Sequence, residues 1–419
     1  MQTALADFVR ATPEGRVAEA IVRKCVHCGF CNATCPTYQL RGDERDGPRG
    51  RIYLIKQVLE GARPSGRTRL HLDRCLTCRS CETTCPSGVH YARLLDIGRR
   101  LVDELAPRPP AERFLRWLLG AVLSRRGRFA ALLALGRALR PVLPERLRAR
   151  VPPARPAGPW PAPRHGRRYL VLGGCVQPAL APGIDAAAAR VLDRLGISLL
   201  EERHPGCCGA LRFHLGDQEG GKRDMRALID RWYAALEGGK AEGIVFSASG
   251  CGAMIRDYAQ LFADDPAYAH RASRVSAAAR DLCELVAAQA PALMAALGPL
   301  RRRGRLAFQS PCTLQHALGL RGKVETLLEA AGYELCTVAD AHLCCGSAGT
   351  YSLLQPEIAA ELRRRKLAAL EAEGPAAIAS ANIGCLVHLQ AGTKLPVRHW
   401  IEYLDEALAA RKEALESVS

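Results

Sequence analysis

The sequence lacks any apolar run long enough to cross a lipid bilayer. Its longest apolar stretches are WLLGAVL (117–123) and FAALLAL (129–135), whereas a membrane-spanning helix needs about 20 such residues. The opening MQTALADFVRATPEGR also lacks the basic start and apolar core of a secretory signal. We therefore expect a cytoplasmic protein, where the reducing environment favours metal-bound or catalytic cysteines over disulfides.

Nucleotide-binding loops are missing as well. No strand-like segment leads into G-x-G-x-x-G, no G-x4-G-K-[ST] occurs, and no Ser-His-Asp arrangement stands out. A chain without a flavin or nicotinamide site does not oxidise an organic substrate by itself. Substrate chemistry, if the protein takes part in any, is therefore expected on a partner chain.

Little net positive charge lies outside one segment. Of the net charge of +17, residues 106–168 carry +13, from fifteen arginines and two acidic residues. An amphipathic helix within 112–140, broken at its glycines, is predicted to meet a membrane surface or a partner. The alternative is a solvated helix pair that covers the core. Aromatic residues are few along the segment, so nucleic-acid binding is not expected.

Cysteine, by contrast, is abundant and clustered. CVHCGFCNATCP (25–36) and CLTCRSCETTCP (75–86) share the spacing C-x2-C-x2-C-x3-C-P, which is typical of bacterial ferredoxin sites for [4Fe–4S] clusters. In two-cluster ferredoxins the fourth cysteine of each motif binds the other cluster. We therefore predict two [4Fe–4S] clusters, with these ligands: Cys25, Cys28, Cys31 and Cys85 for the first, and Cys75, Cys78, Cys81 and Cys35 for the second. Zinc usually takes separated ligand pairs, so this spacing disfavours it.

The C-terminal half contains an internal repeat. YLVLGGC (169–175) aligns with LAFQSPC (306–312), and HPGCCGA (204–210) with HLCCGSA (342–348); measured between their cysteines, both offsets are 137 residues. GIVFSASGC (243–251) aligns with AIASANIGC (377–385) at an offset of 134. Matching landmarks indicate a duplicated domain, and alternating strand-like and helix-like segments predict a mostly parallel α/β sheet in each copy.

Each repeat offers four further cysteines, which we expect at the ends of strands. They could hold a metal or another cluster, cycle between thiol and disulfide, or fill the core. The candidates are Cys175, Cys207, Cys208 and Cys251 in the first repeat, and Cys312, Cys344, Cys345 and Cys385 in the second. His388, three residues after Cys385, and His316, four residues after Cys312, could ligate metal or move protons, and His204 and His342 lie at or near the Cys-Cys pairs. Cys283 and Cys336 lack repeat partners and are expected in the core.

These features predict an α+β multidomain chain: an α-helical ferredoxin-type domain followed by two homologous α/β domains. The predicted boundaries are 1–105 for the ferredoxin domain, 106–165 for a basic Pro/Arg-rich connector, 166–300 for the first repeat and 301–419 for the second. Within the first domain, helices are predicted at 14–25, 46–61 and 91–106 from their apolar spacing.

The chain combines two ferredoxin motifs, two repeats that each contain a Cys-Cys-Gly element (CCG domains), and the stretch KCVHCGFCNATCPTYQLRGDERDGPRGRIYLIKQVLEG. This combination resembles the iron–sulfur subunits of bacterial glycolate oxidases. The likeness extends to SANIGCLVHLQAGTKLPVRHWIEYLDE near the end. The wider superfamily includes cluster subunits for lactate and anaerobic glycerol-3-phosphate oxidation and the CCG subunits of heterodisulfide reductase.

The resemblance implies a role in an oxidoreductase complex. FAD-containing glycolate oxidase subunits would oxidise glycolate, and this chain would relay the electrons through its clusters to a membrane quinone. The cytoplasmic protein would then sit peripherally on the inner face of the membrane. In the heterodisulfide reductase relatives the late cysteine belongs to a C-x2-C pair, whereas here Met254 and His388 occupy the fourth positions. A thiol–disulfide reductase, or a subunit for lactate or glycerol-3-phosphate oxidation, stays open as an alternative.

Overall fold

The computed structural model describes residues 1–148, 151–202, 206–299 and 301–416. The N-terminal part, here called the ferredoxin region (1–105), is helical. A 3-10 turn, Glu44–Asp46, precedes the helix that begins at Pro48. The helices are α1 Asp7–Arg10, α2 Pro13–Lys24, α3 Phe30–Ala33, α4 Pro36–Arg41, α5 Pro48–Leu59, α6 Gly66–Asp73, α7 Ser80–Thr84 and α8 Tyr91–Leu105.

The three helices predicted in this region are present as α2, α5 and α8. Pro13 and Pro48 begin the first two, in the position where a missing N–H costs nothing. Apolar side chains from the three helices form one core around Ile55, Leu59, Leu94 and Leu95, all fully buried. Gly98 of α8 lies directly on Ile55, where a Cβ would come within 2.6 Å of the Ile55 side chain. The cysteine loops leave this core at the ends of helices.

The connector folds into a pair of helices, called the hairpin, and a short third helix: α9 Pro110–Leu123, α10 Arg126–Leu139 and α11 Glu145–Arg148. The prediction that glycines break this helix is wrong. The break falls at Ser124 and Arg125, whose backbone turns extended at Arg125. Gly120 lies within α9 and is buried against Arg212 and Leu215. There the glycine allows close packing instead of ending a helix.

Two α/β repeats follow, each with a four-stranded sheet. The first (167–297) comprises β1 Arg167–Val171, α12 Gln177–Leu180, α13 Gly183–Arg194, β2 Ile197–Leu200, α14 Ala210–His214, α15 Gln218–Glu237, β3 Gly243–Phe246, α16 Ser249–Leu261, α17 Ala269–Ala278, β4 Ala279–Asp281, α18 Leu282–Ala287 and α19 Ala290–Leu297.

The second repeat (305–416) has a π-helical turn, Thr313–Ala317, after its first strand. Its other elements are β5 Arg305–Gln309, α20 Lys323–Ala330, β6 Glu334–Leu335, α21 Tyr351–Leu354, α22 Pro356–Glu371, β7 Ala377–Ser380, α23 Ile383–Gln390, β8 Val397–His399 and α24 Trp400–Glu416.

The two sheets have the same topology. Their strand orders are β2-β1-β3-β4 and β6-β5-β7-β8, and every pairing is parallel. The predicted fold class, a helical ferredoxin-type domain followed by two homologous α/β domains, is therefore confirmed. The exact domain boundaries stay a prediction, although α8 ends at Leu105 and β5 begins at Arg305.

The repeats pack against each other through one apolar core that draws side chains from both. Helix α13 lies on α24, and the Arg190 guanidinium contacts the Asp405 carboxylate at 2.6 Å (Nη2 to Oδ2). Among the residues that the structure describes, no helix has the length and apolar character needed to cross a membrane.

Candidate iron–sulfur and cysteine sites

The first cavity lies at the end of α2. Cys25, Cys28 and Cys31 line it from the first motif, and Cys85 lines it from the second. Cys81 also borders this cavity. Three thiols on one short loop and a fourth from elsewhere match the predicted ligand set for the first cluster.

The second cavity has the reciprocal composition. Cys75, Cys78 and Cys81 line it from the second motif, and Cys35 lines it from the first. The fourth cysteine of each motif thus crosses to the other cavity, which ties the two motifs into one body. Ligation itself stays a prediction.

The two cysteine loops adopt the same unusual backbone. In the first, His27 and Gly29 have positive φ angles of 61° and 90°; in the second, Thr77 and Arg79 have 53° and 61°. These are the same two positions of the motif. For a residue other than glycine, the left-handed conformation costs about 1–2 kcal/mol. Such strain is retained where a loop must hold functional groups in place, and here it turns three thiols toward one point.

Burial and crowding make these thiols fit a metal cluster. Burial, followed by the neighbouring Cys312 and Cys35, raises the pKa of Cys78 well above its usual value. Burial and then Cys78 and Cys75 do the same to the pKa of Cys81. Several thiolates can share so small a space only when cations compensate their charge, and thiols release their protons when metal binds. Four thiols per cavity fit the iron corners of a cubane in kind and number.

A buried cation lies beside the second cavity. The Arg51 side chain is fully buried; its Nε donates to the His71 carbonyl at 2.7 Å and its terminal nitrogens to Thr37 Oγ1 at 3.2 Å. Thr37 Oγ1 in turn lies 3.3 Å from Cys35 Sγ. Burial alone would lower the pKa of Arg51, but the neighbouring Cys75 leads the contacts that raise it. The guanidinium therefore places a positive charge next to the cluster ligands.

In the first repeat, all four candidate cysteines come together. Cys175 follows β1, Cys251 lies in the first turn of α16, and the Cys207–Cys208 pair precedes α14. Hydrogen bonds from Cys175 and Cys208 lower the pKa of Cys207, while the contact with Cys207 raises the pKa of Cys175. A buried carboxylate, Asp224, stands beside this group, and burial followed by Cys207 raises its pKa.

The second repeat builds the same group from the matching positions. Cys312 Sγ lies 3.9 Å from Cys344 Sγ, and Cys345 Sγ lies 3.3 Å from Cys385 Sγ. Here a buried ammonium replaces the carboxylate. Lys366 Nζ donates to the Asp340 carbonyl at 2.7 Å, and although burial lowers the pKa of Lys366, the nearby Cys345 and Cys344 oppose that shift.

The second repeat also covers the second cavity. Leu76 of the second motif packs in an apolar cluster with Cys344, Tyr351, Ile358, Ala359 and Leu362, against which Cys78 and Cys312 also lie. The Tyr351 hydroxyl donates to the Arg74 carbonyl at 3.0 Å. His316 bridges the same junction, with Nδ1 2.9 Å from Thr83 Oγ1 and Nε2 2.9 Å from the His342 carbonyl. The cysteines of the second repeat and of the second motif therefore form one continuous buried group.

The remaining candidate residues are two histidines and two cysteines. His388 Nε2 lies 3.2 Å from the Ala359 carbonyl, to which it donates, and burial lowers the pKa of this imidazole. His204 lies outside the described residues. Cys283 and Cys336 are buried in the shared core of the repeats, as expected.

Two residues beside the sites, Arg51 and Lys366, were missed by the sequence analysis. Lys366 ends the run RRRK (363–366), which resembles a solvated helix face. On α22, Lys366 follows the buried residues Ile358, Ala359 and Leu362 at helical spacing and therefore lies on the same face. This spacing was the one signal in the sequence that could have identified it.

Comparisons with known proteins cover the same regions. A family model described as a 4Fe-4S dicluster domain matches residues 21–89. One described as a cysteine-rich domain matches residues 169–256 and 306–390. The two models thus account separately for the ferredoxin motifs and for both repeats.

Among curated proteins, the chain is similar to the glycolate oxidase iron–sulfur subunit of Escherichia coli K12, with 52% identity over 97% of this chain and 99% of that protein. It is 30% identical to a probable glycolate oxidase iron–sulfur subunit of Bacillus subtilis 168, over 90% of both chains. Lactate utilization protein A of Shouchella clausii is 25% identical over only 55% of this chain. The chain therefore belongs to the family of glycolate oxidase iron–sulfur subunits, as its sequence resemblance predicted.

Proposed function

We propose that this chain is the electron-transfer subunit of a flavin-dependent glycolate dehydrogenase complex. Partner subunits carry FAD and oxidise glycolate, and this chain passes the electrons toward a quinone. The observation that carries the proposal is the reciprocal lining of the two cavities, in which each motif gives its fourth cysteine to the other. The two cavities are direct neighbours, since Cys81 lines both, and this is the arrangement an electron relay needs.

The electron balance is simple. Oxidation of one glycolate to glyoxylate releases two electrons and two protons, and a [4Fe–4S] cluster takes up one electron at a time. Two clusters in series can therefore accept both electrons from a two-electron donor. Cys25, Cys28, Cys31 and Cys85 hold the first, and Cys75, Cys78, Cys81 and Cys35 hold the second. Arg51 contributes charge that favours electron uptake at the second.

An anaerobic titration of the purified complex tests the proposal. We expect about eight irons per chain from the two motifs, and cluster EPR signals that appear on addition of glycolate. Lactate and glycerol-3-phosphate added separately test the alternative substrates. Reduction by dithionite but by none of these substrates would contradict a role in hydroxy-acid or glycerol-3-phosphate oxidation.

The second repeat is the proposed place of a third redox centre, either a metal or a further cluster. Support comes from its four gathered thiols, from the Lys366 ammonium beside them, and from their contact with the second cavity. Replacing Cys312, Cys344, Cys345 and Cys385 together should lower the iron content if a cluster is present. An unchanged iron content would leave a thiol site.

That thiol site is the second candidate function. Cys345 Sγ and Cys385 Sγ lie 3.3 Å apart, close enough to form a disulfide after a small movement. A thiol–disulfide reductase would cycle this pair. Alkylation of the reduced protein, followed by mass mapping of Cys345 and Cys385, distinguishes a redox-active pair from permanently metal-bound thiolates.

We further propose that the cytoplasmic complex meets the inner face of the membrane through the hairpin. Large apolar side chains are exposed on it, among arginines: Phe114, Leu115, Trp117, Leu118, Leu132, Leu135 and Leu139. Phe114 and Trp117 stack with ring centroids 5.8 Å apart. A basic helix with an exposed apolar face is typical of proteins that lie on anionic lipid, and such a position would bring the relay near a quinone.

A further inference from the structure

The two cysteine loops share a backbone but differ in what covers them. Val26 and Leu76 occupy the same position, directly after the first cysteine of each motif. Leu76 is 6% exposed, whereas Val26 is 68% exposed. The apolar residue after the first cysteine is therefore covered by protein at the second motif and exposed to solvent at the first.

The residues that cover Leu76 show what kind of contact this position makes. Leu76 is enclosed by Tyr351, Leu362 and Cys344 of the second repeat, which brings the cysteines of that repeat against the second cavity. An apolar side chain at the mouth of the cavity therefore serves as the contact between one redox site and the next. At the first motif, no described part of the chain covers the equivalent side chain to the same degree.

The bare loop carries further apolar surface. Phe30 is 62% exposed and Tyr53 is 47% exposed, and the His27 ring meets the Tyr53 ring edge-on at 6.2 Å. Cys28 between them is exposed, so the first cavity lies close to solvent here. Exposed apolar groups gathered at one place mark interaction sites. We call the surface of Val26, His27, Phe30 and Tyr53 the entry face.

Charged side chains border the entry face, two of them in ion pairs. Arg23 contacts Glu19 Oε1 at 2.8 Å, Arg49 contacts Glu44 Oε1 at 2.6 Å, and Lys24 is exposed. An apolar centre with a polar rim is typical of protein–protein interfaces. The chain has no flavin-binding motif, so a reduced flavin must approach from another chain. The second cavity is already covered, which leaves the first as the accessible end of the relay.

We propose that the entry face is the docking surface of the flavin-bearing subunit, and that electrons enter the chain at the first cavity. This inference rests on the proposed function and gives the relay a direction. Cys25, Cys28, Cys31 and Cys85 would hold the cluster that receives single electrons from the reduced flavin, and Cys75, Cys78, Cys81 and Cys35 would hold the cluster next in line toward the second repeat. Two such transfers per glycolate return the flavin to its oxidised form, and the two protons leave on the flavin subunit.

The test uses the complete complex with Val26→Glu and Phe30→Glu combined. Two carboxylates would be buried without partners at an apolar contact, so we expect flavin recovered with the tagged chain to fall about tenfold or more. Dithionite should still produce the EPR signals of both clusters, whereas glycolate should no longer do so. Met294→Glu, a matched change at an exposed apolar residue of α19, should behave as the wild type does.

Several outcomes would overturn the inference. One is wild-type recovery of flavin in the double variant, together with reduction of its clusters by glycolate. Another is that glycolate still reduces the clusters while electron transfer to a soluble quinone is lost, which would make this face the place where electrons leave the chain. A changed oligomeric state with flavin retained would assign the face to a second copy of the chain.

The failure of the proposed function is distinguishable from these outcomes. In that case glycolate would fail to reduce the clusters of the wild-type complex while dithionite succeeds. If the glutamates prevent cluster assembly, Val26→Ser with Phe30→Ser repeats the test, because serine removes apolar contact without adding charge. Full flavin recovery and full reduction of the clusters by glycolate in that milder variant, with the clusters intact, would also overturn the inference.

Discussion

The first and second repeats have the same sheet and the same four cysteines, yet they meet the ferredoxin region in different ways. The second repeat covers the second cavity with apolar side chains, through Tyr351 and Leu362, and brings its cysteines against it. The first repeat meets the second motif through an ion pair between Asp257 and Arg79. It also supports the hairpin, where the Arg137 guanidinium donates to the Ala179 carbonyl at 3.2 Å. The duplicated domain has thus given the two copies different contacts around the same redox site.

The charges beside the two cysteine groups are arranged differently. The second repeat has the buried Lys366 ammonium near its thiols, whereas the Asp224 carboxylate near Cys207 is paired with Arg125 at 3.4 Å and with Arg212 at 3.7 Å. Both repeats therefore have cationic groups near their thiols. It is position, against the second cavity, that favours the second repeat as the one that continues the relay.

The largest expected effect comes from removing a thiol in the second repeat. Cys345→Ser should reduce quinone-linked turnover of the complex to near background, because the centre that follows the second cavity would be lost. The matching change in the first repeat, Cys208→Ser, should retain most of the turnover. Equal losses in the two variants would contradict the difference drawn between the repeats, and EPR of the ferredoxin clusters serves as the check that both variants assemble.

The repeats also differ at one matched buried position, which should give them opposite responses to pH. Asp281 ends β4 and accepts from Cys283 N at 2.9 Å; burial raises its pKa to about 6. His399 ends β8, donates from Nε2 to the Ser247 carbonyl at 2.9 Å and accepts from Ile401 N at 3.3 Å. Burial lowers the pKa of His399 to about 4.

The signs follow from linkage. His399, lowered from 6.5, stabilises the fold above pH 6.5 and loses about 3 kcal/mol of that contribution as pH falls toward 4. Asp281, raised from 3.8, contributes its stability below pH 3.8 and loses it as pH rises through about 6. Urea midpoints of His399→Gln should therefore fall less between pH 7 and 5 than those of the wild type, while midpoints of Asp281→Asn should fall more. Parallel curves would show that neither group titrates as its burial implies.

The hairpin beside the first repeat gives the next effect in size. Trp117→Ser should weaken binding to vesicles that contain anionic lipid by about 2 kcal/mol, or roughly thirtyfold, because a large apolar side chain no longer enters the interface. Met294→Ser is the control for loss of an exposed apolar group elsewhere. Binding that depends on neither Trp117 nor salt would exclude this surface as the contact with the membrane.

Much of this arrangement could be predicted because it is local in the chain. The C-x2-C-x2-C-x3-C spacing determines which thiols one loop can turn inward, and the matching offsets of the CCG landmarks reveal the duplication. Parallel strands then place Cys175, Cys251, Cys312 and Cys385 at one edge of each sheet. Family membership and fold class followed from these patterns.

The remainder depends on how distant segments pack. Nothing in GPRGR distinguishes Arg51, which is fully buried, from Arg49, which is partly exposed at the first cavity. Likewise, Val26 and Leu76 are interchangeable as sequence, and only the docking of the second repeat makes one buried. Tertiary contacts between regions hundreds of residues apart leave no periodic signal, so the direction of the relay required the structure.

The smallest effect tests the junction between the second repeat and the ferredoxin region. Tyr351→Phe removes one hydrogen bond, to the Arg74 carbonyl, and should cost about 1 kcal/mol of stability. Tyr403 of the same repeat provides the matched control, because its hydroxyl is buried and has no polar partner within hydrogen-bonding distance among the described residues. Tyr403→Phe should be neutral or slightly stabilising, since it removes an unsatisfied polar group. Amide hydrogen exchange in residues 74–79 should rise in Tyr351→Phe alone; a rise of equal size in both variants would mean that the hydroxyl of Tyr351 does not hold the second repeat against the second cavity.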